Sequence, residues 1–289
     1  MDNLTISAIQ PELDRFIANA LIEDVGDGDH SSLASIPDKA IGKANLYVKE
    51  DGIIAGIDIA EYIFHKMDPD IKFNVLIKDG SLVNIGEVAF SIEGRVQTIL
   101  MLERLVLNIM QRMSGIATRT HKMVDLIKDL HTRLIDTRKT TPGMRFLEKI
   151  AVRIGGGYNH RAGLYDMIML KDNHVDGAGG IVKAIEATHK YLKEKGLDLK
   201  VEIETRNLDE VKTVLATGGV DRIMLDNFDI ETLNKALALI DHKYETEASG
   251  GITEENLRDY ALTGVDFISS SAMAHSVKSL DLSLKLVKN

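Results

Sequence analysis

KVEIETRNLDEVKTVLATGGVDRIMLDN (200–227) reads as a strand over Lys200–Ile203, an amphipathic helix over Leu208–Ala216 and a second strand over Arg222–Leu225. Two short apolar strands joined by one helix imply a parallel pair with a right-handed crossover. The same rhythm extends in both directions. Further strand candidates are Leu134–Thr137, Met167–Leu170, Glu245–Ala248 and Asp266–Ser269, with helices expected over Ile181–Lys195, Ile230–Ile240 and Glu254–Thr263. The second half of the chain is therefore expected to be an α/β sheet or barrel.

The first half has a different texture. Leu13, Phe16, Ile17, Ala20 and Leu21 fall at helical spacing, and the run Asp24–Asp29 ends the pattern. That Asp/Gly run is a poor calcium loop: counted from Asp24, the twelfth position is Ser35, where a carboxylate is needed. Ala44–Lys49, Phe73–Lys78 and Glu87–Glu93 read as strands, with a helix over Ile59–Met67. A long helical stripe over Thr98–Leu130 is expected to break near Ser114-Gly115, and its methionines read as core filler.

In α/β barrels functional groups collect at the C-terminal ends of the strands. Here those ends carry Arg138-Lys139, Lys171-Asp172-Asn173-His174, Glu204-Thr205-Arg206, Asp226-Asn227, Ser249-Gly250-Gly251 and Ser270-Ser271. The stretch 136–174 alone holds seven lysines and arginines against four acidic residues, in a chain whose formal net charge is −9. Arg138, Lys139, His160, Arg161 and Lys171 make a cation set suited to carboxylates or phosphates. Glu204 and Asp226 are acceptors for sugar hydroxyls or a hard cation such as Mg²⁺. Glu202, two residues before Glu204, points to the same side of its strand, so period-2 alternation leaves the choice between them open. Ser249-Gly250-Gly251 offers backbone N–H groups to a phosphate. The arrangement implies a polyanionic ligand plus a phosphorylated sugar, as phosphoribosyl transfer would need.

Blander readings apply elsewhere. Arg145, Lys149 and Arg153 lie at helical spacing after Pro142-Gly143 and read as a solvated face. His174 reads as structural, Asp136 and Thr137 as orienting Arg138, and Lys171-Asp172 could be a strand-end ion pair. The 289 residues contain no cysteine, which excludes disulfides, thiolate-bound metals and a cysteine nucleophile. An acidic chain without a basic face does not suit nucleic acid or anionic membrane. The N-terminus shows no basic-then-apolar leader and no run approaches a membrane span, so a cytoplasmic protein is expected.

The motifs DTRKTTPGMR (136–145), AVRIGGGYNHR (151–161), MLKDNH (169–174), IMLDN (223–227) and EASGGI (247–252) resemble quinolinate phosphoribosyltransferases. EDVGDGDHSS (23–32), DGIIAGIDIAE (51–61) and NIMQRMSGIAT (108–118) extend the resemblance over nearly the whole chain, in order. It implies the type II phosphoribosyltransferase fold: an N-terminal α/β sandwich domain (1–113) and an incomplete seven-stranded, TIM-like α/β barrel (114–274), with 275–289 packing back on the first domain. It implies Mg²⁺-dependent transfer of phosphoribosyl from 5-phosphoribosyl-1-pyrophosphate to quinolinate with loss of CO₂, in NAD biosynthesis.

Motif by motif, the resemblance assigns quinolinate binding to Arg138, His160, Arg161 and Lys171, with Lys139 near both substrates. Arg104 matches an arginine contributed by the neighbouring subunit of a homodimer. Glu204 and Asp226 match the ribose- and metal-side carboxylates, and Ser249, Gly250 and Gly251 the phosphate loop. Ser271 stands where the family has a phosphate-contacting glycine, and His30-Ser31-Ser32 replaces the usual threonine after the Gly-Asp pair. Three other functions compete: a phosphoribosyltransferase of the same fold with another substrate, a Schiff-base aldolase using Lys171, and a non-catalytic sensor of phosphorylated metabolites.

Overall fold

The computed structural model describes residues 6–287. These fall into two compact units. The first unit holds the chain up to His121, together with Thr140–Gly156 and the chain from Ala274 onward. The second holds Lys122–Lys139 and Gly157–Met273.

In chain order the elements begin with α1 (Ile6–Asp24), α2 (His30–Ser35), β1 (Ile41–Val48), β2 (Gly52–Ile53), α3 (Ile57–Met67), β3 (Lys72–Val75), β4 (Leu82–Val83), β5 (Val88–Arg95) and α4 (Val96–Asp125). There follow β6 (Arg133–Ile135), α5 (Arg145–Ile154), β7 (Ile168–Leu170), α6 (Asp172–Ala178), α7 (Ile181–Lys195) and β8 (Val201–Thr205). The chain ends with α8 (Leu208–Thr217), β9 (Arg222–Asp226), α9 (Ile230–Ile240), β10 (Glu245–Ser249), α10 (Leu257–Leu262), β11 (Phe267–Ser269) and β12 (Leu282–Leu286).

The first unit is built on a four-stranded antiparallel sheet, ordered β12-β1-β5-β3. Its core is apolar and aromatic: Phe64 of α3 and Phe90 of β5 are fully buried, and Phe73 lies 4.5 Å from Phe90 between ring centroids. The Asp/Gly run between α1 and α2 serves as a turn, in which the Asp29 carboxylate accepts the Ser32 N–H at 3.1 Å and caps α2. The expected break at Ser114-Gly115 does not occur, and α4 runs through it. The Ser114 hydroxyl accepts the Ala55 N–H at 2.9 Å, which occupies it away from its own helix. Gly115 leaves room for the backbone of Lys278 and Ser279, the latter 3.1 Å from where a Cβ would stand.

The solvated face expected for Arg145, Lys149 and Arg153 is corrected too. Lys149 is buried on α5, beside Glu148, which accepts from Arg112 Nη2 at 3.0 Å and from the Thr141 N–H at 3.2 Å. Close approach draws α5 to α4: a Cβ on Gly155 would stand 2.7 Å from Thr120 Cβ. That packing is why Thr140–Gly156 belongs to the first unit, although its sequence lies inside the 114–274 span.

The same unit contains a pH-sensitive cap. Asp79 accepts the Ile57 N–H at 2.9 Å at the start of α3, and burial raises its carboxyl from 3.8 to about 6. A pKa higher in the folded state means that folding takes up protons. The stabilisation is full below the unfolded value and is lost as pH rises through about 6. Stability should therefore fall between about pH 4 and 6 by this group's share. Asp79→Asn should flatten that part of the profile in denaturant titrations, and an unchanged slope would refute the assignment.

The second unit is a parallel six-stranded sheet, ordered β6-β11-β10-β9-β8-β7, with helices between successive strands. Among the described residues the seventh strand position is reduced to a single parallel bridge between Ile135 and Tyr158. The barrel is partial. Its interior departs from the usual filling by branched apolar side chains: Glu202, Glu204 and Glu247 all sit inside it, buried.

Candidate active site

Residues on β6, β7, β9, β10 and β11, or just beyond their ends, converge on one cavity of about 180 Å³. Arg138, Lys139, His160, Arg161 and Lys171 all line it, with Ser249 and Glu247. Met169 and Met224 supply an apolar wall against which a flat ring can rest. A larger hollow of about 490 Å³ lies at the opposite strand ends, around Lys200, Asp221 and Asp266. Its acids are committed within the protein: Asp221 accepts the Val201 N–H, Asp266 the Thr246 N–H, and Glu245 pairs with Arg222. That face reads as structural.

The cations are held by local chemistry. Asp136 is buried after β6; its carboxylate accepts the His160 N–H at 2.8 Å and Asn159 Nδ2 at 2.7 Å. Thr137 Oγ1 accepts the Lys139 N–H at 3.0 Å. Asp136 thus anchors the loop that carries His160 and Arg161, a role beyond the orienting of Arg138 expected for it. Arg161 donates to the Met167 carbonyl at 3.2 Å. Burial, and after it the charge of Arg138, lower the pKa of Arg161. Two guanidinium groups that oppose each other in a cavity favour an anionic guest.

Lys171 does not pair with Asp172. Its Nζ lies 2.7 Å from Glu204 Oε2, across the ends of β7 and β8. Asp172 instead begins α6, where His174 Nδ1 accepts the Lys171 N–H at 3.0 Å, so His174 is structural. The choice between Glu202 and Glu204 is now a division of labour. Both point into the barrel, but Glu204 meets Lys171 while Glu202 lies 3.0 Å from His160 Nε2. Asp226, on the adjacent strand end, is raised by burial and then by the charge of Glu204. This half of the site favours a cation or hydroxyl donors. Glu204 and Asp226 are hard oxygen donors of the kind Mg²⁺ takes, and the mutual repulsion of their charges is what a cation would relieve.

The glycine loop is shaped by backbone rather than side chains. Gly250 has φ +99°, and a Cβ there would collide with the Asn227 side chain and stand 3.0 Å from its backbone nitrogen. Gly251 has φ +63° with open space around it. Gly250→Ala should therefore damage the loop more than Gly251→Ala. The second carries only the left-handed penalty of about 1–2 kcal/mol; the first adds displacement of Asn227, whose Nδ2 donates to Asp226 at 2.6 Å. The KM for a phosphorylated substrate reads the difference, and equal effects would sink this account. Ser271 opens a short 3₁₀ turn and is not among the positive-φ residues. Serine at this position thus carries no left-handed strain.

Of the predicted residues, Arg104, Glu204, Asp226, Gly250, Gly251 and Ser271 do not line the cavity, and several residues outside that set do. Arg104 is exposed on α4 in the first unit and does not line the cavity. Glu247 lines it with no side-chain exposure, and it had been passed over inside an apolar strand. Its period-2 relation to Ser249 was the available signal. Met169, Met224 and Ser269 also line the cavity, on the inward faces of β7, β9 and β11.

The quinolinate phosphoribosyl transferase C-terminal domain matches residues 116–285 of the chain, and the N-terminal domain of the same family matches 29–114. The chain belongs to the quinolinate phosphoribosyltransferase family. It is 46% identical over 290 residues to the chloroplastic nicotinate-nucleotide pyrophosphorylase [carboxylating] of Arabidopsis thaliana, covering 95% of this chain and 83% of that one. It is 43% identical to the probable nicotinate-nucleotide pyrophosphorylase [carboxylating] of Synechocystis, covering 96% and 93%. The crystal structure of NadC from Streptococcus pyogenes superposes with a TM-score of 0.90 at 37% identity, over the whole of both chains. Human nicotinic acid phosphoribosyltransferase, at 13% identity and a TM-score of 0.59, shares the fold alone with this family member.

Proposed function

We propose that this chain joins quinolinate to 5-phosphoribosyl-1-pyrophosphate and releases pyrophosphate and CO₂, giving nicotinate mononucleotide for NAD synthesis. The observation that carries the reading is the opposition of charge at one set of strand ends. Arg138 and Arg161 crowd each other in the cavity, and Glu204 and Asp226 crowd each other beside it, joined to it by Lys171, which lines the cavity and lies 2.7 Å from Glu204. A pyridine dicarboxylate satisfies the first pair, and a sugar with its metal satisfies the second.

Arg138, Arg161 and Lys171 clamp the two ring carboxylates and hold the ring flat against Met169 and Met224. The ring nitrogen forms a bond to C1 of the ribose as the C1–oxygen bond to pyrophosphate breaks, its electron pair leaving with pyrophosphate. Glu204 and Asp226 stabilise the positive charge that develops on the sugar, and the N–H groups of Ser249, Gly250 and Gly251 face the phosphate. The ribosylated nitrogen is then a cation and draws in the electron pair of the adjacent carbon–carboxylate bond. CO₂ departs and a proton takes its place on the ring carbon. No side-chain nucleophile is needed, and the Lys171 amine is engaged by the Glu204 carboxylate at 2.7 Å. Glu204 and Asp226 would hold Mg²⁺, which supplies charge neutralisation for the departing pyrophosphate.

Arg104 enters this reading as a contribution to the site of a second copy in a homodimer, a role supported by its exposure on α4. A cytoplasmic location is part of the same reading. Among the described residues no helix is long and apolar enough to cross a membrane.

The test is release of labelled CO₂ from quinolinate with the phosphoribosyl donor and Mg²⁺, beside nicotinate as control. Activity on nicotinate alone would overturn the carboxylating assignment. Chelation should abolish turnover and Mg²⁺ restore it; turnover that persists under chelation removes the metal from the scheme.

A further inference from the structure

The least expected feature of the barrel interior is a buried group of charges beneath the cavity, and neither substrate accounts for it. Glu202 and Glu247 have fully buried side chains. His160 Nε2 lies between them, 3.0 Å from Glu202 Oε2 and 3.2 Å from Glu247 Oε2. Arg222 Nη1 reaches Glu247 Oε2 at 3.1 Å, Nη2 reaches Glu245 Oε2 at 3.0 Å, and the guanidinium stacks 3.9 Å from the centre of the Phe267 ring. On its other edge the imidazole accepts the Arg161 N–H through Nδ1 at 2.6 Å. Both ring nitrogens are thus engaged by protein, and what the ring holds is the backbone of the arginine beside the dicarboxylate site.

Burying two carboxylates is costly, and apolar side chains of the same size would fill a barrel more cheaply. A costly arrangement aimed at one residue of a binding loop points to a task for that residue. We propose that Glu202 and Glu247 are positioning residues: through His160 they fix the 159–161 loop and so aim Arg161 at the pyridine dicarboxylate. His160 then acts as a strut between the barrel floor and the clamp, in place of the direct carboxylate contact expected of it from the sequence. The inference rests on the quinolinate reading of the cavity. It adds Glu202 of β8 and Glu247 of β10 as residues that determine specificity for the dicarboxylate by acting through His160.

Glu202→Gln, Glu247→Gln and His160→Gln, and the doubles that join each glutamate change to His160→Gln, test it. Each keeps side-chain size, and KM is measured separately for quinolinate and for the phosphoribosyl donor. The expected result is a rise in KM for quinolinate of up to about 100-fold, the scale of a misplaced binding group, with the donor KM within about threefold of wild type. Each double should be no worse than His160→Gln alone, because the glutamates act through that ring.

Equal rises in both KM values, additive doubles, or a fall in Tm with quinolinate KM unchanged would each overturn the proposal. Glu247→Gln strips a partner from Arg222. If that variant fails to fold, Glu202→Gln decides, since it leaves both Arg222 contacts in place. A wild-type chain that releases no CO₂ overturns the assigned reaction instead. Calorimetric binding of pyridine-2,3-dicarboxylate to wild type and to Glu202→Gln then reads the strut independently, with equal affinities counting against it.

Discussion

Arg138→Ala is expected to lower kcat/KM for quinolinate by about 2–5 kcal/mol, the usual cost of truncating one partner of a buried charge pair. That is roughly thirtyfold to several thousandfold. Arg138 is a like charge beside Arg161, and after burial it is what holds the Arg161 pKa down. The loss should fall on activity far more than on stability, which a general loss of folding cannot imitate. Steady-state kinetics beside thermal unfolding make the measurement. Near-normal kcat/KM would refute the clamp, and a parallel collapse of Tm would show that Arg138 is structural.

Glu204→Gln is expected to lower kcat by about 10²–10³-fold, the scale seen when one preorganised electrostatic partner of a transition state is lost. Glu204 is buried, its carboxylate accepts from Lys171 at 2.7 Å, and its charge adds to burial in raising Asp226. The glutamine keeps the shape but cannot stabilise positive charge on the sugar or neutralise Lys171. The loss should fall on kcat more than on the quinolinate KM, because the dicarboxylate is gripped mainly by Arg138 and Arg161. With Glu204 neutral, Asp226 should titrate closer to its ordinary value, which shifts the acidic limb of the pH–rate profile downward. A variant with unchanged kcat, or with its whole defect in quinolinate KM, would move Glu204 from the sugar half of the site to the clamp.

Much of this arrangement can be read from residue order, and the failures have identifiable causes. Strand ends such as Leu170-Lys171 and Leu225-Asp226 are legible because parallel strands are short apolar runs and their polar sequels must face the barrel mouth. The α6 helix went unseen because it starts directly at a strand end, on Asp172, and includes Gly177. The late start of α10 at Leu257 has a similar local cause: Asn256 Oδ1 accepts the Thr253 N–H at 2.8 Å, which makes a turn where helix was expected. The break expected in α4 and the solvated face expected for Lys149 failed for a non-local reason. Segments more than a hundred residues away in sequence and the neighbouring α5 decide the packing there, and no window along the chain contains them.

The chain's own order of residues determines the parallel strand–helix rhythm, the cations that follow β6 and β7, the carboxylates at the ends of β8 and β9 and the glycines that follow β10. These are properties of neighbours along the chain: the 2.0 and 3.6 periodicities and the residue after each strand. Which charges meet is a property of register across strands. Tertiary structure alone decides that Lys171 pairs with Glu204 rather than Asp172, and that Glu202 faces His160. It alone decides that Glu247, separated from His160 by 87 positions in the sequence, closes on the same ring. Coulomb energy and desolvation depend on distance and burial in space, and a linear sequence specifies neither until the barrel closes.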